Sequence, residues 1–245
     1  MARERHSILS EHPWWQWAIL GVAAVFALVF TYLALDKGST PPAVSAPRFT
    51  PAPVETTEPR PSIAALGDSY TGGSEEDSGE VARWPYLVAR ALDVPIDVIA
   101  SGGSGYVVPG PNDTTFPELA ADVPADSDLV IIYGSRNDVA TAEEVYDAAT
   151  ATVFSLGEVA PDADIIIVGP TWITADPPQN ILDSESALTR VAADQGLRYV
   201  SSLAWLTEDA ELIGGDGVHP NDAGHAVLAD RMDDVVEEWL AASTS

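Results

Sequence analysis

The 245-residue chain contains no cysteine, which excludes disulfides, thiolate metal sites and a cysteine nucleophile. The redox compartment stays open, because an exported protein can do without bridges. Positive charge is nearly as scarce. Lys37 is the single lysine, and beyond residue 61 the only basic residues are Arg83, Arg90, Arg136, Arg190, Arg198 and Arg231, against 33 acids. The formal charge of −27 therefore originates in the C-terminal part. Binding to phosphate backbones needs clustered Lys and Arg, so this surface repels nucleic acid and anionic headgroups. No nucleic-acid partner is expected. The acidic face reads as a solubility feature, with docking of a basic partner as its other use.

Charge is absent altogether from Ala18 to Leu35, and Trp14, Trp15 and Trp17 sit at the near edge of that run. As a helix rising ~1.5 Å per residue, it is long enough for ~30 Å of hydrocarbon. The tryptophans suit the interfacial belt. A cleaved signal peptide is the rival, but its apolar region is usually only about 7–15 residues long. Cleavage after Val44-Ser45-Ala46 would also leave Pro47 at the new terminus. The expected plan is a cytoplasmic N-terminus at 1–13, a transmembrane anchor (or signal peptide) at 14–36, a proline-rich linker at 37–61 and a folded domain at 62–245. Arg3 and Arg5 before the span favour an N-terminus inside and a domain outside the cell membrane. Cleavage would make the domain secreted. Prolines at 41, 42, 47, 51, 53, 59 and 61 make the linker a semi-rigid spacer.

From Ser62 onward, short apolar runs alternate with helical stretches. Strands are expected at Ile63–Leu66, Ile96–Ala100, Leu129–Tyr133, Ile165–Val168 and Tyr199–Val200. Helices are expected at Trp84–Leu92, Thr141–Val159, Asn180–Gln195 and Asn221–Leu240, with Thr141 and Glu144 forming a capping box. "DLVIIYG" and "DADIIIVGP" are continuous apolar runs, as parallel strands covered on both faces require. The pattern predicts a three-layer α/β/α sandwich around a parallel sheet of about five strands. In such sheets reactive groups gather beyond the carboxyl ends of the strands.

Those ends carry small-residue motifs. The first strand, in "IAALGDSYTGG", delivers Gly67-Asp68-Ser69; the second delivers "ASGGSGY" (100–106) and the third "GSRND" (134–138). "GDGVHPNDAGH" (215–225) precedes the last helix. Serine becomes a useful nucleophile when a base takes its proton, and a carboxylate fixes the tautomer of a histidine base. Ser69, His219 and Asp216 form such a set. The Ser69 N–H, a backbone N–H of the glycine loop and the Asn137 amide are candidate oxyanion donors.

The four blocks in this order resemble the SGNH (GDSL-type) hydrolases over residues 62–245. The resemblance implies a flavodoxin-like fold and a serine esterase with Ser69 as nucleophile and Asp216 and His219 as partners. Gly105, Asn137 and the Ser69 amide would form the oxyanion hole. No cofactor and no metal is implied. Substrates would be small-molecule, glycan or lipid esters, with cell-envelope esters favoured by the anchor. An acyltransferase of the same fold and a non-catalytic envelope-binding module are the alternatives; oligomeric state is not indicated.

Some residues have two readings. Arg136 stands where the family commonly has glycine; its guanidinium either binds a substrate carboxylate or phosphate, or pairs with one of the many acids, and pairing is expected. Tyr106 and Trp172 either line a substrate pocket or belong to the core. Asp138 is expected to cap the following segment. Asp216, His219, Asp222 and His225 recur every three residues, but the first two lie in a loop and the last two in a helix. They are therefore not expected to converge on a metal, and Asp222 and His225 are expected on a solvated helix face.

Overall fold

In the computed structural model, which describes residues 60–243, every predicted apolar run forms a strand. These are β1 (Ile63–Gly67), β2 (Ile96–Ala100), β3 (Leu129–Tyr133), β4 (Asp164–Val168) and β5 (Arg198–Val200). All pair in parallel, in the order β2-β1-β3-β4-β5. The order reverses beside β1, so the crevice at the carboxyl ends of β1 and β3 is the topological switch point where such sheets bind ligands.

The helices are α1 (Ser69–Gly72), α2 (Trp84–Leu92), α3 (Phe116–Leu119), α4 (Ala142–Val159), α5 (Gln179–Gln195) and α6 (Asp222–Ser243). The period-two side-chain alternation of a strand sorts the core into two layers. Ile63, Ala65, Leu129, Ile131, Ile166 and Val168 face α2 and α6, where they meet Trp84, Val88, Leu228, Met232 and Val236. Ala64, Leu66, Val130, Ile132 and Ile167 face the other side and meet Val145, Ala149 and Leu156 of α4 and Leu188 and Val191 of α5. Strands β1 and β3 are buried throughout, which is why their sequences are continuously apolar.

The capping box at Thr141 is present. Thr141 Oγ1 accepts the Glu144 N–H at 3.3 Å, and Glu144 Oε2 accepts the Thr141 N–H at 2.8 Å. Such a cap contributes roughly 1 kcal/mol. The very short α1 and α3 have too few residues to show a periodicity in the sequence.

Among the described residues no helix is long and apolar enough to cross a membrane. The expected anchor at 14–36, and all but residues 60 and 61 of the linker, lie outside the described residues.

Candidate active site

Strand β1 ends at Gly67 because nothing larger fits: a Cβ there would collide with Thr71 Oγ1 and come within 2.6 Å of the Tyr133 carbonyl. The chain then turns through Asp68, whose Oδ1 accepts the Tyr70 N–H at 2.8 Å and so caps α1. Ser69 is the first residue of α1, only 5% exposed, at the edge of the sheet. Among the described residues its N–H has no hydrogen-bond partner.

His219 arrives from the other end of the chain on a braced loop. Gly214 N–H donates to the His219 carbonyl at 2.8 Å, Asn221 N–H donates to the Leu212 carbonyl at 3.0 Å, and Ile213 bridges Pro220. Asn221 also caps α6, its Oδ1 accepting the Gly224 N–H at 3.0 Å. Across the crevice, Tyr70 Oη donates to the Val218 carbonyl at 2.7 Å. The residue before His219 is thereby tied to the residue after Ser69.

The outcome is a continuous chain of polar groups. His219 Nε2 lies 2.8 Å from Ser69 Oγ, and His219 Nδ1 lies 2.5 Å from Asp216 Oδ2. Asp216 Oδ1 accepts the N–H groups of Val218 and His219 at 2.8 and 3.0 Å. Burial pushes the Asp216 carboxyl up, but the His219 and Val218 N–H groups and the His219 ring together bring it down to about 2. It is a carboxylate at any ordinary pH, so Nδ1 carries the proton and Nε2 is free to accept one from Ser69. Such an arrangement can deprotonate the hydroxyl during attack on an electrophilic carbon.

The loop after β2 is shaped by Asp138. Its Oδ2 accepts the Tyr106 N–H at 3.0 Å, and its Oδ1 accepts those of Val107 and Val108 at 2.9 and 3.0 Å. This corrects the expected capping role, since the cap of α4 is Thr141. It also corrects the expectation for Gly105. That residue is buried, its N–H donates to the Val108 carbonyl at 2.8 Å, and a Cβ on it would collide with the Asp138 carboxylate. Gly105 is a glycine because Asp138 needs the space. The glycine beside the nucleophile is Gly102, which is exposed, has an N–H with no partner among the described residues, and would place a Cβ 3.7 Å from that of Ser69.

Asn137 Nδ2 donates to the Ser104 carbonyl at 2.8 Å and, at a longer 3.2 Å, to Asp68 Oδ2. Burial pushes the Asp68 carboxyl up to about 6, against the opposing pull of the Tyr70 N–H and the Arg136 charge.

Two further expectations are revised, for Arg136 and His225, and one open choice, for Tyr106 and Trp172, is decided. Arg136 has no acid partner among the described residues; its Nη1 donates to Tyr70 Oη at 2.5 Å and to the Val218 carbonyl at 3.1 Å. Tyr106 is 1% exposed and packs edge-on against Phe116, so it is core, whereas Trp172 is half-buried beneath the Arg136 guanidinium, 4.6 Å from its ring centre. His225 is fully buried against α2, with its Nδ1 accepting the Trp84 N–H at 3.4 Å, because the packing of α6 turns this position inward. Asp222 is half-buried, and its Oδ2 accepts from Ser78 Oγ at 2.5 Å. Tyr70 and Asp138 also shape the site; their only sequence signal is adjacency to Ser69 and Asn137.

The fold, the switch-point serine and the histidine–carboxylate pair define a serine hydrolase of the SGNH class. Residues 65–227 match the GDSL-like Lipase/Acylhydrolase family, and the chain belongs to that family as an SGNH-type serine esterase. It is 38% identical over 182 residues to the GDSL lipase Rv0518 of Mycobacterium tuberculosis, an alignment covering 69% of this chain and 79% of the relative. Its fold is similar to that of Est24, a carbohydrate acetylesterase from Sinorhizobium meliloti, with a TM-score of 0.58 and 18% identity over 74% of this chain and 100% of the other. A family two carbohydrate esterase from Clostridium thermocellum, solved with cellohexaose, matches with a TM-score of 0.59 and 20% identity. That match covers 78% of this chain and 66% of the esterase.

Proposed function

We propose that the protein hydrolyses carboxylic esters, of an acylated sugar, a lipid or a small alcohol, by a Ser-His-Asp mechanism. The observation that carries this reading is the unbroken chain Ser69 Oγ–His219–Asp216 at 2.8 and 2.5 Å. Ser69 Oγ attacks the carbonyl carbon while His219 Nε2 takes its proton, and Asp216 steadies the imidazolium. The oxyanion that forms is held by the Ser69 and Gly102 N–H groups and by the Asn137 proton that otherwise makes the long bond to Asp68. As the intermediate collapses, His219 returns the proton to the leaving alcohol, and the acyl group remains on Ser69. Water, deprotonated by His219, then attacks the acyl carbon and releases the acid.

We place the esterase domain at 62–245, behind a linker at 37–61 and an anchor at 14–36, facing outward from a cell membrane. The uncharged run from Ala18 to Leu35 and its tryptophan edge support that placement. Esters on cell-envelope glycans are the favoured substrates, a reading supported by the placement and by the carbohydrate esterases of similar fold.

The test is turnover of short- and medium-chain p-nitrophenyl esters by the purified protein beside Ser69→Ala. Hydrolysis that disappears in a variant with unchanged circular dichroism and melting supports the serine mechanism. Turnover that persists in Ser69→Ala rejects it.

A further inference from the structure

Arg136 is the one half-buried arginine among the described residues without an acidic partner. Arg60, Arg83, Arg190 and Arg198 each meet a carboxylate, and Arg90 and Arg231 are exposed. In a chain with 38 acids and 11 basic residues, a half-buried guanidinium left without an acid is unusual. It is not free to swing towards one. Two aromatic rings hold it, Trp172 at 4.6 Å and Tyr70 at 5.5 Å, and Nη1 is engaged by Tyr70 Oη and the Val218 carbonyl. The buried Asp68 senses its charge without approaching to ion-pair distance. Nη2 and Nε have no partner among the described residues, and together they form one edge of the planar group, the edge that takes two oxygens at once.

Arg136 directly precedes Asn137, and Val218, whose carbonyl it holds, directly precedes His219. Trp172 leads into Ile173 and Thr174, which with Glu208, Asp209, Ile213 and Gly217 line a cleft of about 550 Å³ beside the histidine loop. Arg136 itself lines a small hollow with Asp68, Tyr70, Tyr133 and Thr171, and its bond to the Val218 carbonyl ties it to the histidine loop.

We infer that Arg136 is a substrate-selecting residue: its open Nε/Nη2 edge binds a carboxylate carried by the non-reacting part of the ester. The inference rests on the esterase reading above and names the substrate class for that site. It predicts a preference that runs against the protein's overall charge, since a net −27 repels an anionic ester at long range.

The experiment compares matched esters that differ only in carboxylate against carboxamide. One pair carries the group on the alcohol side (4-acetoxybenzoate and 4-acetoxybenzamide). The other carries it on the acyl side (mono-4-nitrophenyl adipate and its terminal amide). Wild type is expected to favour the acid in at least one pair by about tenfold or more in kcat/KM, the scale of one charge-assisted hydrogen bond. Arg136→Gln brings that ratio to unity or below, whatever happens to either rate alone. Arg136→Lys, which keeps the charge but not the two-donor edge, retains only part of the ratio. Arg90→Gln removes the same charge from an exposed site and leaves the ratio intact. Equal rates for acid and amide in both pairs, or a preference that survives in Arg136→Gln, would overturn the inference. Calorimetric titration of Ser69→Ala with each pair separates the two claims. Tighter binding of the acid without wild-type turnover upholds Arg136 and rejects the hydrolytic reading, whereas equal binding of acid and amide rejects Arg136.

Discussion

Asp138→Asn isolates the group that sets the path of the glycine loop. The substitution keeps the shape of the side chain and removes its charge. In the native arrangement one carboxylate accepts three backbone N–H groups, from Tyr106, Val107 and Val108. An amide can accept only through its oxygen. If that oxygen keeps Val107 and Val108, the NH2 group faces the Tyr106 N–H, donor against donor, and a buried N–H loses its partner. Losing one charge-assisted bond costs roughly 1.5–3 kcal/mol, and the two survivors weaken as the charge goes. Burial pushes the Asp138 carboxyl up, so part of this cost is offset by relief of desolvation. A net loss of about 2 kcal/mol is expected, which for a domain of this size lowers Tm by roughly 4–8 °C. The loop that relaxes also carries Gly102 beside Ser69. A displacement of about 1 Å at a reacting centre can cost on the order of a hundredfold in rate, so kcat should fall further than stability alone explains. Thermal melts and steady-state ester hydrolysis measure both. A variant that melts with wild type and keeps its kcat would show that Asp138 does not shape the loop.

Gly67→Ala should destabilise by about 1–3 kcal/mol and lower activity in the surviving folded fraction, because its Cβ meets the Tyr133 backbone and Thr71; chemical denaturation and kinetics check both. Gly105→Ala and Gly102→Ala should differ sharply. The first collides with Asp138, while the second makes only an ordinary contact and should melt within about 0.5 kcal/mol of wild type. Equal melting of the two would refute the loop assignment. His225, buried and held down to about 4 chiefly by desolvation, binds its proton more readily in the unfolded chain. Its contribution is therefore full above pH 6.5 and is lost as pH falls from there through 4, by about 3 kcal/mol in all. His225→Gln should flatten the fall of Tm over that window relative to wild type. Asp68, pushed up to about 6, acts in the opposite sense: its ionisation costs stability as pH rises from 3.8 through 6. Asp68→Asn should accordingly raise Tm more at pH 8 than at pH 4, and a uniform shift would contradict the buried-carboxyl account.

Much of this architecture is written locally. Continuous apolar runs such as Leu129–Tyr133 have few structural options, and each closes on a small residue that marks the strand end. Ser69, Asp216 and His219 were legible because motif and position agree: a hydroxyl after a first strand and a histidine three residues beyond an acid. The loop details were not. Gly102 and Gly105 look alike in sequence, and only the three bonds reaching across from Asp138 decide which one the loop buries. Tyr106 and Trp172 both follow strands, yet Tyr106 turns inward onto Phe116 and Trp172 outward under Arg136. His225 lies one helical turn from the half-buried Asp222, but the packing of α6 on α2 buries it fully. Each of these depends on contacts between segments far apart in the chain, to which local pattern is blind.

In the proposed mechanism Ser69 carries the acyl intermediate. Acid quenching during turnover of a slowly deacylated ester, followed by peptide mass spectrometry, tests it most directly. The acyl mass is expected on the peptide containing Ser69 in the wild-type protein and is expected to be absent from His219→Ala. Turnover accompanied by acylation at another residue, or by no covalent species at Ser69, would contradict it.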